Sequence, residues 1–160
     1  MKRRDIVIGL IVVALLAGAI YLIRRRSEPT PVIPESTTGE TEQKIVDTFR
    51  VDIPEDIDKA ELKDVTGGTA SGIATREFIS GVFTHTVLVD LPDPQPGYFY
   101  EGWLVKGDKF LSTGKMRIAK GGYLLEYDAR VDYSDYDKVV ITLEKVFDAT
   151  PEERILEGTF

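Results

Sequence analysis

The 160-residue chain has no cysteine, one histidine (His85) and one tryptophan (Trp103). The missing thiols exclude disulfides, thiolate metal sites and a cysteine nucleophile. A blue-copper centre, which an all-β chain can suggest, needs a cysteine and two histidines and is excluded too. Basic charge is scarce beyond the first 26 residues. Six of the 20 Lys and Arg lie before position 27, which leaves 14 bases against 26 acids, a formal −12, in residues 27–160. Such a surface repels nucleic-acid phosphates and anionic lipid, which both require clustered bases. Catalytic motifs are missing as well. Ser71 in G-T-A-S-G has the wrong spacing for a G-x-S-x-G elbow. Thr113-Gly114-Lys115 lacks the upstream glycine of a phosphate loop. No enzyme activity and no cofactor are expected.

One long apolar run is present, residues 6–23, IVIGLIVVALLAGAIYLI, without a charge. At helical rise it spans about 27 Å, within the range of a transmembrane helix. Ala17-Gly18-Ala19 offers a small-residue cleavage site, but Arg24, Arg25 and Arg26 follow almost at once, so the run reads as an uncleaved anchor. Ala14 and Gly18 form a small-xxx-small pair of the kind that packs helices, though ordinary helix composition gives the same spacing. Lys2, Arg3 and Arg4 precede the run and three arginines follow, so charge counting alone leaves its orientation tied. Residues 24–44 form a juxtamembrane stretch and a Pro/Ser/Thr/Glu-rich linker, a composition that favours a solvated, extended chain. Residues 1–5 are a short tail before the anchor, and residues 45–160 are the folded domain. Ile45, Val46 and Phe49 have helical spacing at its start, with a lead-in strand through Val51 and Ile53 as the competing reading.

From residue 59 onward the signal is β. Phe83, His85, Val87, Val89 and Leu91 alternate with polar and smaller neighbours, as do Val139, Ile141, Leu143 and Phe147 opposite Thr142 and Glu144. Met116 and Ile118 alternate with Lys115, Arg117 and Ala119. Turn signals recur at Gly67-Gly68, Ser80-Gly81, Gly107-Asp108, Thr113-Gly114 and Gly121-Gly122, and again in residues 132–137. Short strands at roughly 8–12-residue spacing, without helical segments between them, indicate an all-β sandwich or barrel, and of the two an Ig-like antiparallel β-sandwich is the fold expected. Residues 92–107 hold three of the eight prolines and then Trp103 in an aromatic strand. The prolines stop the preceding strand at Leu91. Simple alternation there groups Phe99, Glu101, Trp103 and Val105, which buries a carboxylate. A bulge at Gly102 is the reading that avoids this, with Tyr98, Tyr100, Trp103 and Val105 on one face and Glu101 turned out.

Few residues offer chemistry. His85 sits between Phe83 and Val87 and reads as a half-buried strand histidine. Asp128, Asp132, Asp135 and Asp137 supply the hard oxygen ligands that calcium takes. Their spacing fits no EF-hand, and such clusters are common in turns that bond their own backbone. Tyr133 and Tyr136 beside them either present a protein contact or fold back over the sheet edge.

The aromatic strand and its neighbours carry a resemblance. Tyr100, Trp103, Leu104 and Val105 form a Y-x-x-W-L-V strand. Turn glycines follow at Gly107 and, after Thr113, at Gly114. A late V-T-L-E pattern falls at Ile141, Thr142, Leu143 and Glu144, and a closing L-x-G at Leu156 and Gly158. In these features the chain resembles the C-terminal extracytoplasmic domain of the anti-sigma-K factor family. The resemblance covers roughly residues 58–160 and the anchor, and its residues imply structure, not catalysis. It implies a β-sandwich outside the cytoplasmic membrane, N-terminus inside. Family members hold a sigma factor with a cytoplasmic domain ahead of the anchor; only residues 1–5 stand there in this chain, so direct sigma-factor binding is not expected. The expectation is a single-pass bacterial membrane protein that presents a non-enzymatic β-domain for sensing or protein interaction at the cell envelope, with the bilayer and an unidentified protein as partners. An envelope-structural or adhesion module, calcium-stabilised in one version, is the alternative. A carboxylate-based hydrolase is the remote one.

Overall fold

The computed structural model describes residues 38–160. The expected anchor at 6–23, its arginines and the linker up to residue 37 lie outside the described residues. Among the described residues no helix is long and apolar enough to cross a membrane.

Among the described residues one helix, α1 (Thr38–Phe49), precedes nine strands: β1 (Asp58–Asp64), β2 (Ser71–Ile79), β3 (Val82–Asp90), β4 (Phe99–Lys106), β5 (Lys109–Lys115), β6 (Arg117–Ala119), β7 (Gly122–Ala129), β8 (Lys138–Glu144) and β9 (Glu153–Thr159). All pairings are antiparallel, and the order is β5-β4-β8-β9-β1-β2-β3-β7-β6. The two ends of this order, β5 and β6, are separated in the chain by Met116 alone. The sheet must therefore roll until its edges nearly meet, and Met116 N–H donates to the Tyr100 carbonyl at 2.9 Å, one step beyond the last β4–β5 pair. The all-β, antiparallel expectation holds. Two separate sheets, as in an Ig-like sandwich, do not form, because β1 pairs with β9 at Lys63↔Glu157 and Asp64↔Leu156 and joins a four-strand half to a five-strand half. That joint is a non-local register, which periodicity along one strand does not encode.

The interior follows the period-two pattern. Phe83, Val87, Val89 and Leu91 point in from β3 and its end, Val139 and Ile141 from β8, and Leu62, Leu125 and Leu156 complete the core. Phe147, grouped with the β8 core residues on periodicity, is exposed, because β8 ends at Glu144. Ser80-Gly81 is a two-residue hairpin turn with both φ positive, at 55° and 80°. The turn expected at Gly121-Gly122 falls one residue earlier, at Lys120-Gly121 (φ 44° and 86°), with Gly122 already in β7. Thr113-Gly114 is not a turn; it lies inside β5. The proline segment is tied across one end of the sheet by two interior tyrosines. Tyr100 donates to the Pro92 carbonyl at 3.1 Å and Tyr123 to Asp93 at 2.8 Å.

The helical reading of residues 45–49 is the one realised, and the helix begins at Thr38, inside the stretch read as linker. Ile45 and Phe49, one turn apart, bury against Ile73 and Leu88 on the outer face of β2 and β3. The Phe49 ring sits over Gly122, where a Cβ would come within 2.5 Å of Cζ. Ion pairs Glu42–Lys59 and Lys44–Asp90, both at 2.8 Å, fix the direction in which the helix crosses the strands. Arg50 closes it in the left-handed region (φ 54°), and the Lys120 ammonium donates to the Phe49 carbonyl at 3.0 Å.

Candidate functional site: a buried acid pair under a loop

The β4 strand pairs regularly with β8 from Phe99↔Glu144 to Val105↔Lys138. Tyr100 and Leu104 join the interior core, whereas Trp103 and Val105 form a separate cluster with Val140 on the outer face. The bulge expected at Gly102 is displaced. The register shift lies between β4 and β5, where Gly102 pairs Gly114 and Trp103 pairs Ser112, so the extra residue is Thr113 of β5. Simple alternation therefore survives in β4. Glu101 shares the outer face with Trp103 and is completely buried, not turned out.

That face carries a polar network in an otherwise apolar setting. Trp103 Nε1 donates to Thr142 Oγ1 at 2.8 Å. Thr142 stands opposite Glu101, and Glu144 is its diagonal neighbour opposite Phe99. Glu101 and Glu144 are both wholly inaccessible. Each has one satisfied oxygen: Glu101 Oε1 accepts from the Ser112 hydroxyl, and Glu144 Oε1 accepts from the Glu152 amide at 2.9 Å. The other oxygen of each, Oε2, is buried and has no hydrogen-bond partner.

The cover over this pair is residues 145–152, between β8 and β9. Glu152 closes the loop on itself, since its carboxylate accepts from Val146 N–H at 3.0 Å and Lys145 N–H at 3.1 Å. Phe147 packs edge-on against Phe99 with centroids 6.3 Å apart. The Lys115 ammonium rests on both rings, 3.7 Å from the Phe99 centroid and 4.9 Å from that of Phe147. Burial, above all, raises the Glu101 carboxyl above its ordinary range. The Ser112 hydrogen bond opposes this; Glu144 adds to it, Lys115 lowers it, and Asp148 raises it. Lys115 makes no ion pair with Glu101, and among the described residues no other base pairs with this acid.

The resemblance residues divide between the two faces. Trp103, Thr142 and Glu144 build the outer network, while Tyr100, Leu104 and Leu143 belong to the interior. Gly107 makes the β4–β5 turn with φ 56°, and Gly114 lies beside the β5 bulge. Gly158 lets β9 press on β1, since a Cβ there would meet the Glu61 carbonyl at 2.4 Å. His85 is fully buried, more deeply than expected. Its Nδ1 lies 2.9 Å from the Thr75 carbonyl and its Nε2 is unpartnered. Burial, with Arg76 adding to it, pushes it down to about 4, so it is a neutral core group. The aspartates do not converge. Asp135 pairs with Lys106, Asp132 accepts from the Ser134 amide at 2.9 Å, and Asp137 offers its carbonyl to Phe160 N–H at 2.9 Å. Asp128 sits across from Thr84 on β3. Among the described residues no group of three or more His, Asp or Glu could hold a metal ion. Tyr133 folds back onto Phe83, 5.7 Å between centroids, and Tyr136 onto Tyr133 at 5.5 Å. A separate groove of about 280 Å³ lies on the outer face of β2, β3 and β7, lined by Val51, Ile53, Ile73, Leu124, Thr86 and Glu126.

Sequence reasoning missed the Glu101–Glu144 pair. The alternation that places Glu101 beside Trp103, with T-x-E across from it, was the available signal.

The described residues thus form an all-β domain whose nearly closed sheet carries a capped polar network on its outside. Over 50 residues the chain is 46% identical to the anti-sigma-K factor RskA of Mycolicibacterium vanbaalenii. That stretch is 31% of this chain and 20% of the relative, so the match spans a minor part of that protein. No protein-family model matches the chain, and no solved structure matches it.

Proposed function

We propose that the protein is a single-pass membrane protein that presents a non-enzymatic β-domain outside the bacterial cytoplasmic membrane, for sensing or protein interaction at the envelope. The observation that carries this reading is the order along the chain: 18 uncharged apolar residues, then a polar, proline-rich stretch, then an acidic all-β domain. The partial identity to an anti-sigma-K factor supports a relationship to that family and, with it, the N-inside orientation. We read the four-strand and five-strand halves of the rolled sheet as the counterpart of the sandwich that the resemblance implies. The domain's strong net negative charge suits a protein held off an anionic bilayer by its linker. Protease added to intact spheroplasts tests the placement. Residues 38–160 are expected to be degraded from outside, and a domain that survives until the membrane is breached refutes it.

A further inference from the structure

The buried acids form a device that the resemblance does not require. We propose that Glu101 and Glu144 form a one-proton pair, and that loss of its proton releases the 145–152 loop and uncovers the Trp103 face. With the loop closed, two carboxylates stand diagonally on one face, and each has an oxygen without a donor. Two like charges so placed repel strongly because both are shut off from bulk solvent. A single proton on Glu101 leaves this face with one net charge fewer and relieves the repulsion.

The remaining charged groups around this face do not remove the need for the proton. From β5, Lys115 lies on the Phe99 and Phe147 rings. From β9, Arg154 pairs with Glu157 at 3.0 Å, and Glu157 also meets Lys138 of β8 at 3.5 Å. From the loop, Asp148 adds repulsion to Glu101, while Glu152 holds the amides of Lys145 and Val146. When the proton leaves to a solvent base, the second charge is relieved most directly by water. Water enters by detaching the Glu152 amide from Glu144 and lifting Phe147 from Phe99. The loop is suited to move, because Val146 and Phe147 are already largely exposed. The device belongs to the domain itself and is independent of the membrane placement proposed above.

The sign follows from the direction of the shift. Glu101 holds its proton more tightly in the closed domain than the ordinary value of 4.5. Closure is therefore complete below that value and is lost as pH rises through the higher, closed-state value. His85, at about 4, does not titrate in that window.

Trp103 is the only tryptophan in the chain and lies two residues from Glu101, so it reports on the site. The test is a titration of the full chain in detergent micelles from pH 4 to pH 9, read by tryptophan emission, acrylamide quenching and amide exchange of residues 145–152. We expect a red shift with a midpoint above 4.5. Exchange of the loop amides, relative to Glu101→Gln at the same pH, should rise by up to about tenfold per pH unit above 4.5 and level off past the raised, closed-state value. Glu101→Gln should abolish the transition. Glu144→Gln removes the repelling charge, so an ionised Glu101 strains the closed loop less and the transition should shrink or move to higher pH, and Lys115→Ala removes a nearby positive charge and should move it lower. A wild-type chain with no such transition, or a transition unchanged in Glu101→Gln, overturns the proposal. If that variant does not fold, wild-type exchange decides alone: loop amides without excess acceleration over those of β8 refute it. Millimolar calcium that holds the loop closed at high pH also refutes it, because the pair would then be a cation site.

Discussion

Replacing Thr142 with valine removes one oxygen from the centre of the outer network and leaves its shape almost unchanged. Trp103 Nε1 then loses the acceptor it reaches at 2.8 Å, and neither residue is exposed enough for water to substitute. A buried donor left without a partner destabilises by about 1–3 kcal/mol. Thr142 Oγ1 itself stands 3.5 Å from the Glu101 carbonyl, too long for its loss to add much. For a domain of this size, about 4 °C of melting temperature accompanies each kcal/mol, so Thr142→Val should melt about 4–12 °C lower. A double-mutant cycle with Trp103→Phe separates the hydrogen bond from lost ring volume, because the cavity term appears in both arms that lack the indole. The coupling expected is about 1 kcal/mol. The assay is thermal and urea unfolding of the four proteins. A Thr142→Val variant that melts within a degree of the parent, with zero coupling, would refute the view that this network holds β4 to β8 on its outer face.

Phe49→Ala removes the larger of the two side chains that dock α1, a change worth about 3–5 kcal/mol in a packed core. A 12-residue helix is marginal without packing, so the amides of α1 should lose exchange protection while those of β3 and β8 keep theirs. His85 gives a pH dependence of opposite sign to that of Glu101. Its folded value is depressed from 6.5 to about 4, so stability is full above 6.5 and falls by about 3 kcal/mol as the pH drops to 4; urea unfolding across this range should show the loss, and His85→Gln should lack it. Asp64 accepts from the Thr66 hydroxyl and from the amides of Thr66, Gly68 and Ala70, contacts that hold it down to about 2. Asp64→Ala should therefore speed exchange in residues 66–70 at neutral pH and leave the core strands unchanged. Chelator or added calcium should leave the melting temperature unmoved, since among the described residues no three acids converge and Asp132 and Asp135 are engaged separately; a shift of several degrees would restore the calcium reading.

Local pattern carried a good part of this fold. The inward face of β3 and the Ser80-Gly81 turn follow from period-two alternation and from the positive φ of a primed turn. The errors arise where partners lie far apart in the chain. Whether β1 meets β9 decides between one rolled sheet and two, and those residues are about 94 positions apart at Lys63↔Glu157. Phe147 was assigned inward because its spacing continues that of β8, yet the strand ends three residues before it, where Glu144 receives the Glu152 amide. Residues 38–44 read as linker because they are polar; their helix exists through contacts of its far end, Ile45 and Phe49, with Ile73 and Leu88.

The treatment of Glu101 shows most clearly what separates a sequence argument from a structural one. A strand that alternates Phe99, Glu101, Trp103 and Val105 places a carboxylate among apolar residues, and the burial penalty argues for a bulge that turns it out. The fold does contain a bulge at this level, but in β5, where Thr113 is the extra residue. Moving the irregularity to the neighbour keeps Trp103 against Val140 and Thr142, brings Ser112 opposite Trp103, and gives the acid one donor from β5. Glu144 receives its own donor from a loop eight residues on. Each acid is thus half satisfied by elements that its own strand cannot specify. A merely structural network would be better served by Gln at either position, which supplies a donor and carries no charge. Two glutamates retain an energetic dependence on proton concentration that an amide would erase. This makes Glu101→Gln the informative substitution: a variant that is more stable than the parent at high pH, and whose loop closure no longer varies with pH, is what a proton-held pair requires.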